Sequence, residues 1–87
     1  MYIILVYDIN EKRVSKVNKY LKRFLLWRQN SVFEGEITDT IFNKMIKGVN
    51  KIIKEDEDSI IIYKFKIKNY FDNIILGSDK GHTDNII

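Results

Sequence analysis

Apolar positions change their spacing along this chain, and each change marks an element. Residues 2–8, YIILVYD, run β-branched and aromatic without interruption until Asp8. Such a run suits a strand buried on both faces. Asn10 then suits a helix N-cap, with Glu11 in the first turn, where the helix dipole favours an acid. Val14, Val17, Leu21, Phe24 and Leu25 recur at helical spacing and predict a helix over residues 11–26. Residues 28–36, RQNSVFEGE, suit a strand in which Gly35 marks a bulge or a close backbone approach. Thr38 or Asp39 can cap a second helix with the stripe Ile41, Phe42, Met45, Ile46, Val49, Ile52 and Ile53. EDEDS at 55–59 reads as a polar connector. Residues 59–68 form the clearest later strand, alternating from Tyr63 onward, and NIIL at 73–76 suits a further short strand before Gly77.

The order predicted is βαββαβ with a short extra C-terminal strand. Two helices of this length cover one face of a four-stranded antiparallel sheet, which is the α+β, ferredoxin-like arrangement. One domain spans residues 1–87, with its core in 1–76 and a tail over 77–87. The uncovered sheet face of so small a chain predicts a sheet-to-sheet homodimer. DNII at the chain end is expected to pair with a sheet edge, of the same protomer or of the other.

Composition narrows the chemistry. The 87 residues include no cysteine and one histidine, His82, so a bound metal would need oxygen ligands. No run approaches the roughly 18 apolar residues of a membrane span. No basic segment precedes the first apolar run, so the expected location is the cytoplasm and no membrane partner is expected. Net charge is +3, small enough that its placement matters more than its size. Arg13, Lys16 and Arg23, with Tyr20 between them, lie opposite the apolar stripe of the first helix, and Lys12 and Lys19 widen that face. Lys44, Lys47, Lys51 and Lys54 form a comparable stripe on the second helix. These stripes are either solvated helix faces or tracks for a phosphate backbone. Lys64, Lys66 and Lys68 share a face or edge of one strand, where they either guard that edge against pairing or contribute to a DNA-facing surface. Arg28 suits either a phosphate or an ion pair with Glu34 or Glu36. Asp8 either caps the strand end or holds a charge for chemistry. Ser31 has no base placed beside it, so a nucleophilic role is not expected, and His82 reads as solvated.

The first strand ending in Tyr7-Asp8, the basic amphipathic helix and then WRQNSVFEGEIT resemble the CRISPR-associated protein 2 family. Gln29-Asn30-Ser31-Val32-Phe33-Glu34-Gly35 carries the most specific likeness, which extends from Met1 to about Leu76. The resemblance implies a ferredoxin-like homodimer acting in CRISPR spacer acquisition. Such a dimer bridges the spacer integrase and binds double-stranded DNA. It also implies a metal-dependent endonuclease activity on single-stranded RNA or double-stranded DNA. Asp8 stands at the family's catalytic and metal-ligand position. A lone carboxylate is a poor Mg²⁺ site, so the expectation is one Mg²⁺ ion shared by the Asp8 residues of two protomers. Nucleic-acid contacts are expected from Arg13, Lys16, Arg23 and Arg28, with Tyr7 and Phe33 supporting. Arg13 is the closest match to the family's arginines at this helix start. A second arginine often follows there, but this chain has Val14 and Ser15. The other function class considered is an unrelated ferredoxin-like nucleic-acid-binding regulator or a toxin-like ribonuclease, since fold does not fix function.

Overall fold

A computed structural model describes residues 1–66 and 74–81. Six elements follow in order: β1 (Tyr2–Asp8), α1 (Glu11–Leu21), β2 (Leu26–Gln29), β3 (Val32–Glu36), α2 (Asp39–Ile52) and β4 (Ser59–Phe65). The strands form one sheet in the order β2-β3-β1-β4, with every neighbouring pair antiparallel. β1 and β2 are thus separated by β3, and β3 and β4 by β1. These are the two interlocked split βαβ units of the expected ferredoxin-like fold.

Alternation along β1 sets the core. Ile3, Leu5 and Tyr7 point towards the helices and are buried. They meet Val17 and Leu21 of α1, Leu25, Phe33 of β3, Ile37, and Phe42, Met45 and Val49 of α2. Asn10 caps α1 by accepting from the Lys12 backbone amide at 2.9 Å, and the Thr38 hydroxyl caps α2 by accepting from the Ile41 amide at 3.2 Å. Both caps were legible in the sequence.

Several boundaries differ from the sequence expectation. α1 ends at Leu21 rather than at residue 26. Turn hydrogen bonds follow, from the Phe24 and Leu25 amides to the Leu21 carbonyl. Leu25 is buried, Leu26 is exposed and Trp27 is half-buried, so a two-residue period has already begun. Phe24 and Leu25 fit both periods, which is why the stripe looked longer. The single strand expected over 28–36 is the β2–β3 hairpin, turning at Asn30 with φ +46°. Asparagine tolerates this left-handed backbone better than most residues. The bulge falls between Trp27 and Gln29, not at Gly35. Gly35 instead provides a close approach, because a Cβ there would lie 3.3 Å from a Leu25 methyl. The run 2–8 is buried on its helix side alone; Ile4 and Val6 are half-buried and Asp8 is exposed.

β4 ends at Phe65, and residues 67 and 68 lie outside the described residues. Residues 74–76 carry no strand, while Asn73 and the terminal DNII also lie outside them. His82 and Lys68 do so as well. Among the described residues, no helix is long and apolar enough to cross a membrane.

Candidate functional site

Residues directly opposite each other on antiparallel strands share a sheet face. The register therefore assigns the face away from the helices. Tyr2, Ile4, Val6 and Asp8 of β1 lie there, with Phe65, Tyr63, Ile61 and Ser59 of β4. Val32, Glu34 and Glu36 of β3 join them. Leu26, Ile61 and Tyr63 are 59%, 51% and 53% exposed. A largely apolar surface thus lies open in a single chain, with Asp8 and Ser59 at one end of it.

Asp8 sits on this face because odd and even positions of β1 point in opposite directions. Its neighbour Tyr7 points the other way. Tyr7 is 7% exposed, its hydroxyl accepts from Asn18 Nδ2 of α1 at 3.2 Å, and its ring lies 6.1 Å from that of Phe33. Phe33 is fully buried. Tyr7 and Phe33 are therefore core groups on the helix side of the sheet. The Ser31 carbonyl accepts from the Tyr7 amide at 3.1 Å, which gives Ser31 a backbone task.

The basic residues divide into two sets. Arg13 is turned inward against Asp58. Its Nε donates to Asp58 Oδ2 at 2.7 Å and its Nη2 to Oδ1 at 3.0 Å, with a further contact to Glu57 Oε1 at 3.2 Å. Asp58 also accepts from the Asn10 amide at 2.9 Å and the Lys54 amide at 2.7 Å. Its side chain has no solvent-exposed surface. The Arg13 guanidinium, helped by these two amides, holds the Asp58 carboxyl well below the usual carboxylate range despite the opposing effect of burial. Hydrogen bonding to Asp58 raises Arg13 above its ordinary value in turn.

Arg28 is the second inward-facing cation. Its Nε lies 3.0 Å from Glu34 Oε1, and its Nη2 lies 3.5 Å from Asp79. Glu34 is buried at 7% exposure even though it faces away from the helices, with Arg28 against its carboxylate and residues 74–76 and 78–80 lining the same cleft. Tyr2 completes this cluster. Burial first, and then the Glu34 charge and hydrogen bond, push its phenol above the ordinary value.

The second set stays in water. Lys12, Lys16, Lys19, Lys22 and Arg23 on and after α1 are exposed, as are Lys44, Lys47, Lys51 and Lys54 on and after α2. Arg23 lies 5.6 Å from the ring centres of both Tyr20 and Phe24. Lys64 of the β4 edge leans to the helix side, 4.6 Å from the Phe42 ring centre. Of the four cations expected to contact nucleic acid, Lys16 and Arg23 are open, whereas Arg13 and Arg28 already have carboxylate partners. The role of Asp58 is hidden in the sequence because EDEDS has the composition of a polar connector. Its place just before β4, opposite the end of β1, was the available signal.

The donors near Asp8 suit a hard cation in kind. They are a carboxylate and, across the strand pair, the Ser59 hydroxyl. They are too few to hold one, and among the described residues no group of three His, Cys, Asp or Glu side chains could hold a metal. The described residues of one chain therefore do not make a complete site for such an ion.

Comparison with known proteins adds an independent line. The family model described as CRISPR associated protein Cas2 matches residues 1–73. A relative from Methanocaldococcus jannaschii, named CRISPR-associated endoribonuclease Cas2, is 48% identical over 87 residues, covering all of this chain and 76% of that protein. One of the same name from Pyrococcus furiosus is 46% identical over the full length of both. A crystal structure of a Cas2 protein superposes with a TM-score of 0.82 at 50% identity, covering 92% of this chain and 90% of that one. Streptococcus pyogenes Cas2 superposes at 0.71 with 28% identity, covering 85% of this chain and 99% of that one.

Proposed function

The chain belongs to the CRISPR-associated Cas2 family, and on that premise we propose that it acts as a homodimeric nucleic-acid-binding adaptor in spacer acquisition. Two copies pair through the open sheet face. The lysine-bearing helical faces then point outward and hold double-stranded DNA beside the spacer integrase. The separation of the two surfaces supports this reading. Apolar Ile4, Val6, Val32, Ile61 and Tyr63 lie on one side of the sheet, while Lys16, Lys19, Lys44 and Lys47 lie on the helices of the other. Burying the first leaves the second free to neutralise phosphates.

Endonuclease activity is the second reading. It draws support from the position of Asp8 at the end of the apolar face, and from relatives named endoribonucleases. Asp8 of both protomers would hold Mg²⁺, which when bound polarises a phosphoryl oxygen and activates water. The chain's own residues keep the two carboxylates facing one another and exclude the rest of the apolar face from solvent.

Asp8→Asn separates the readings, since it preserves shape and removes charge. Duplex binding and spacer integration with the partner integrase are expected to survive, while Mg²⁺-dependent hydrolysis of single-stranded RNA is lost. Loss of both would make Asp8 part of the adaptor surface. Duplex affinity is expected to fall steeply between low and moderate salt, and a flat salt response would contradict the lysine-borne contact.

A further inference from the structure

Charge is unevenly placed along the helices. From Lys12 to Phe33 the chain carries seven Lys and Arg residues and no Asp or Glu, and from Thr40 to Lys54 four lysines and no acid. Arg13 and Arg28 are taken up by carboxylates. Among the described residues, no carboxylate forms an ion pair with Lys16, Lys19, Arg23, Lys44 or Lys47. Arg23 differs from these lysines in being held. Its guanidinium lies 5.6 Å from the ring centres of both Tyr20 and Phe24, within cation–π reach. The two rings are 5.1 Å apart, tilted by 59°, and packed against the core. Tyr20 is tied at its far end as well, because its hydroxyl donates to the Lys44 and Met45 carbonyls at 3.3 Å. Gly48 opens the space for that tie, since a Cβ there would overlap the hydroxyl. Direct contacts thus run from α2 through Tyr20 to the Arg23 guanidinium, which itself stays exposed.

We infer that Arg23 is a fixed two-point contact for a backbone phosphate of the bound duplex, and that Tyr20 is its positioning residue. This inference rests on the adaptor reading. A guanidinium fork matches two phosphate oxygens, whereas a lysine ammonium is a mobile point charge. A cation–π contact spends none of the fork's N–H donors, so they remain for the phosphate. Ordering a long side chain on binding costs rotamer freedom, and a guanidinium already resting on two rings has less of it to lose. Lys16 and Lys19 precede Arg23 at steps of three and four residues, about 5 Å along the helix axis. They extend the row of positive charge that a phosphate backbone follows, with Arg23 as its anchored end.

The test uses the full-length protein and a fluorescein-labelled DNA duplex, with binding read by anisotropy across a salt series. Arg23→Lys keeps the charge and loses the fork. It is expected to weaken binding about fivefold. The slope of affinity against salt should stay that of the unaltered protein, because the number of phosphates neutralised is unchanged. Tyr20→Leu removes the ring and the hydroxyl but keeps an apolar group. It is expected to weaken binding by a similar factor alone and to add little to Arg23→Lys. Nitrogen-15 relaxation at Arg23 Nε should show an ordered side chain in the free unaltered protein, loosened by Tyr20→Leu. If Tyr20→Leu fails to fold, Phe24→Leu removes the other ring and takes its place. Arg23→Lys binding as tightly as the unaltered protein would overturn the inference and leave the adaptor reading standing. Equal losses from Tyr20→Leu with and without Arg23→Lys would overturn the positioning role of Tyr20. An unaltered protein that binds no duplex would overturn the adaptor reading and the inference together.

Discussion

Arg13 shows how one side chain changes meaning when its surroundings are known. On the helix alone it stands in a basic stripe with Lys16 and Arg23. In the fold it closes a two-point contact on Asp58, a residue distant in sequence. Charge periodicity within a helix reports which face a residue occupies, and says nothing of what another loop brings to that face. Arg28 follows the same logic, except that its partner Glu34 lies within the same hairpin and was among the expected alternatives. A consequence is that Arg13→Ala should lower thermal stability while changing the salt dependence of duplex binding less than Lys16→Ala does. The depressed Asp58 carboxyl gives a second outcome. Its folded-state value lies below its unfolded one, so its stabilisation is present above about pH 4 and is lost as pH falls further. The unaltered protein should therefore lose melting temperature below about pH 4 more steeply than Asp58→Asn. Parallel acid titrations of the two by calorimetry check this, and identical slopes would contradict it.

Elements with one clear period were legible, and elements at a change of period were not. β1, α2 and the two N-caps lie where the sequence places them. The α1–β2 junction does not, because Phe24 and Leu25 satisfy a helical and an alternating pattern equally. The hairpin hides in a run whose turn, Asn30-Ser31, lacks glycine and proline. Contact between the helices carries its own constraint. The Tyr20 hydroxyl donates to the Lys44 and Met45 carbonyls at 3.3 Å, and a Cβ on Gly48 would overlap that hydroxyl. Gly48→Ala must push Tyr20 aside, and despite the better helix propensity of alanine it is expected to destabilise by about 1–3 kcal/mol. Chemical denaturation measures this directly. Gly48→Ala in a Tyr20→Leu background should recover most of the loss.

At the scale of the whole molecule, the sheet has a finished side and an unfinished one. Helices seal the first around Phe33, Leu5 and Met45. On the second, the Arg28–Glu34 cluster shares a cleft with residues 74–76 and 78–80, while Ile61, Tyr63 and Leu26 remain open. Composition and topology foretold this asymmetry, because two helices cannot cover both faces of four strands. The sequence could not show which apolar positions stay open, since that depends on strand register. Asp8 gains a purpose beyond ending a strand only if a second copy covers the open face.

That pairing is the central claim, and the absence of cysteine makes a single-site probe clean. Ser59→Cys, carrying a nitroxide label, places a spin on the open face opposite Asp8 without altering Asp8 itself. The account predicts strong dipolar broadening of the labelled protein's spectrum, removed by mixing with excess unlabelled chain. A narrow spectrum, unchanged by that mixing at concentrations where sedimentation shows two chains together, would contradict it.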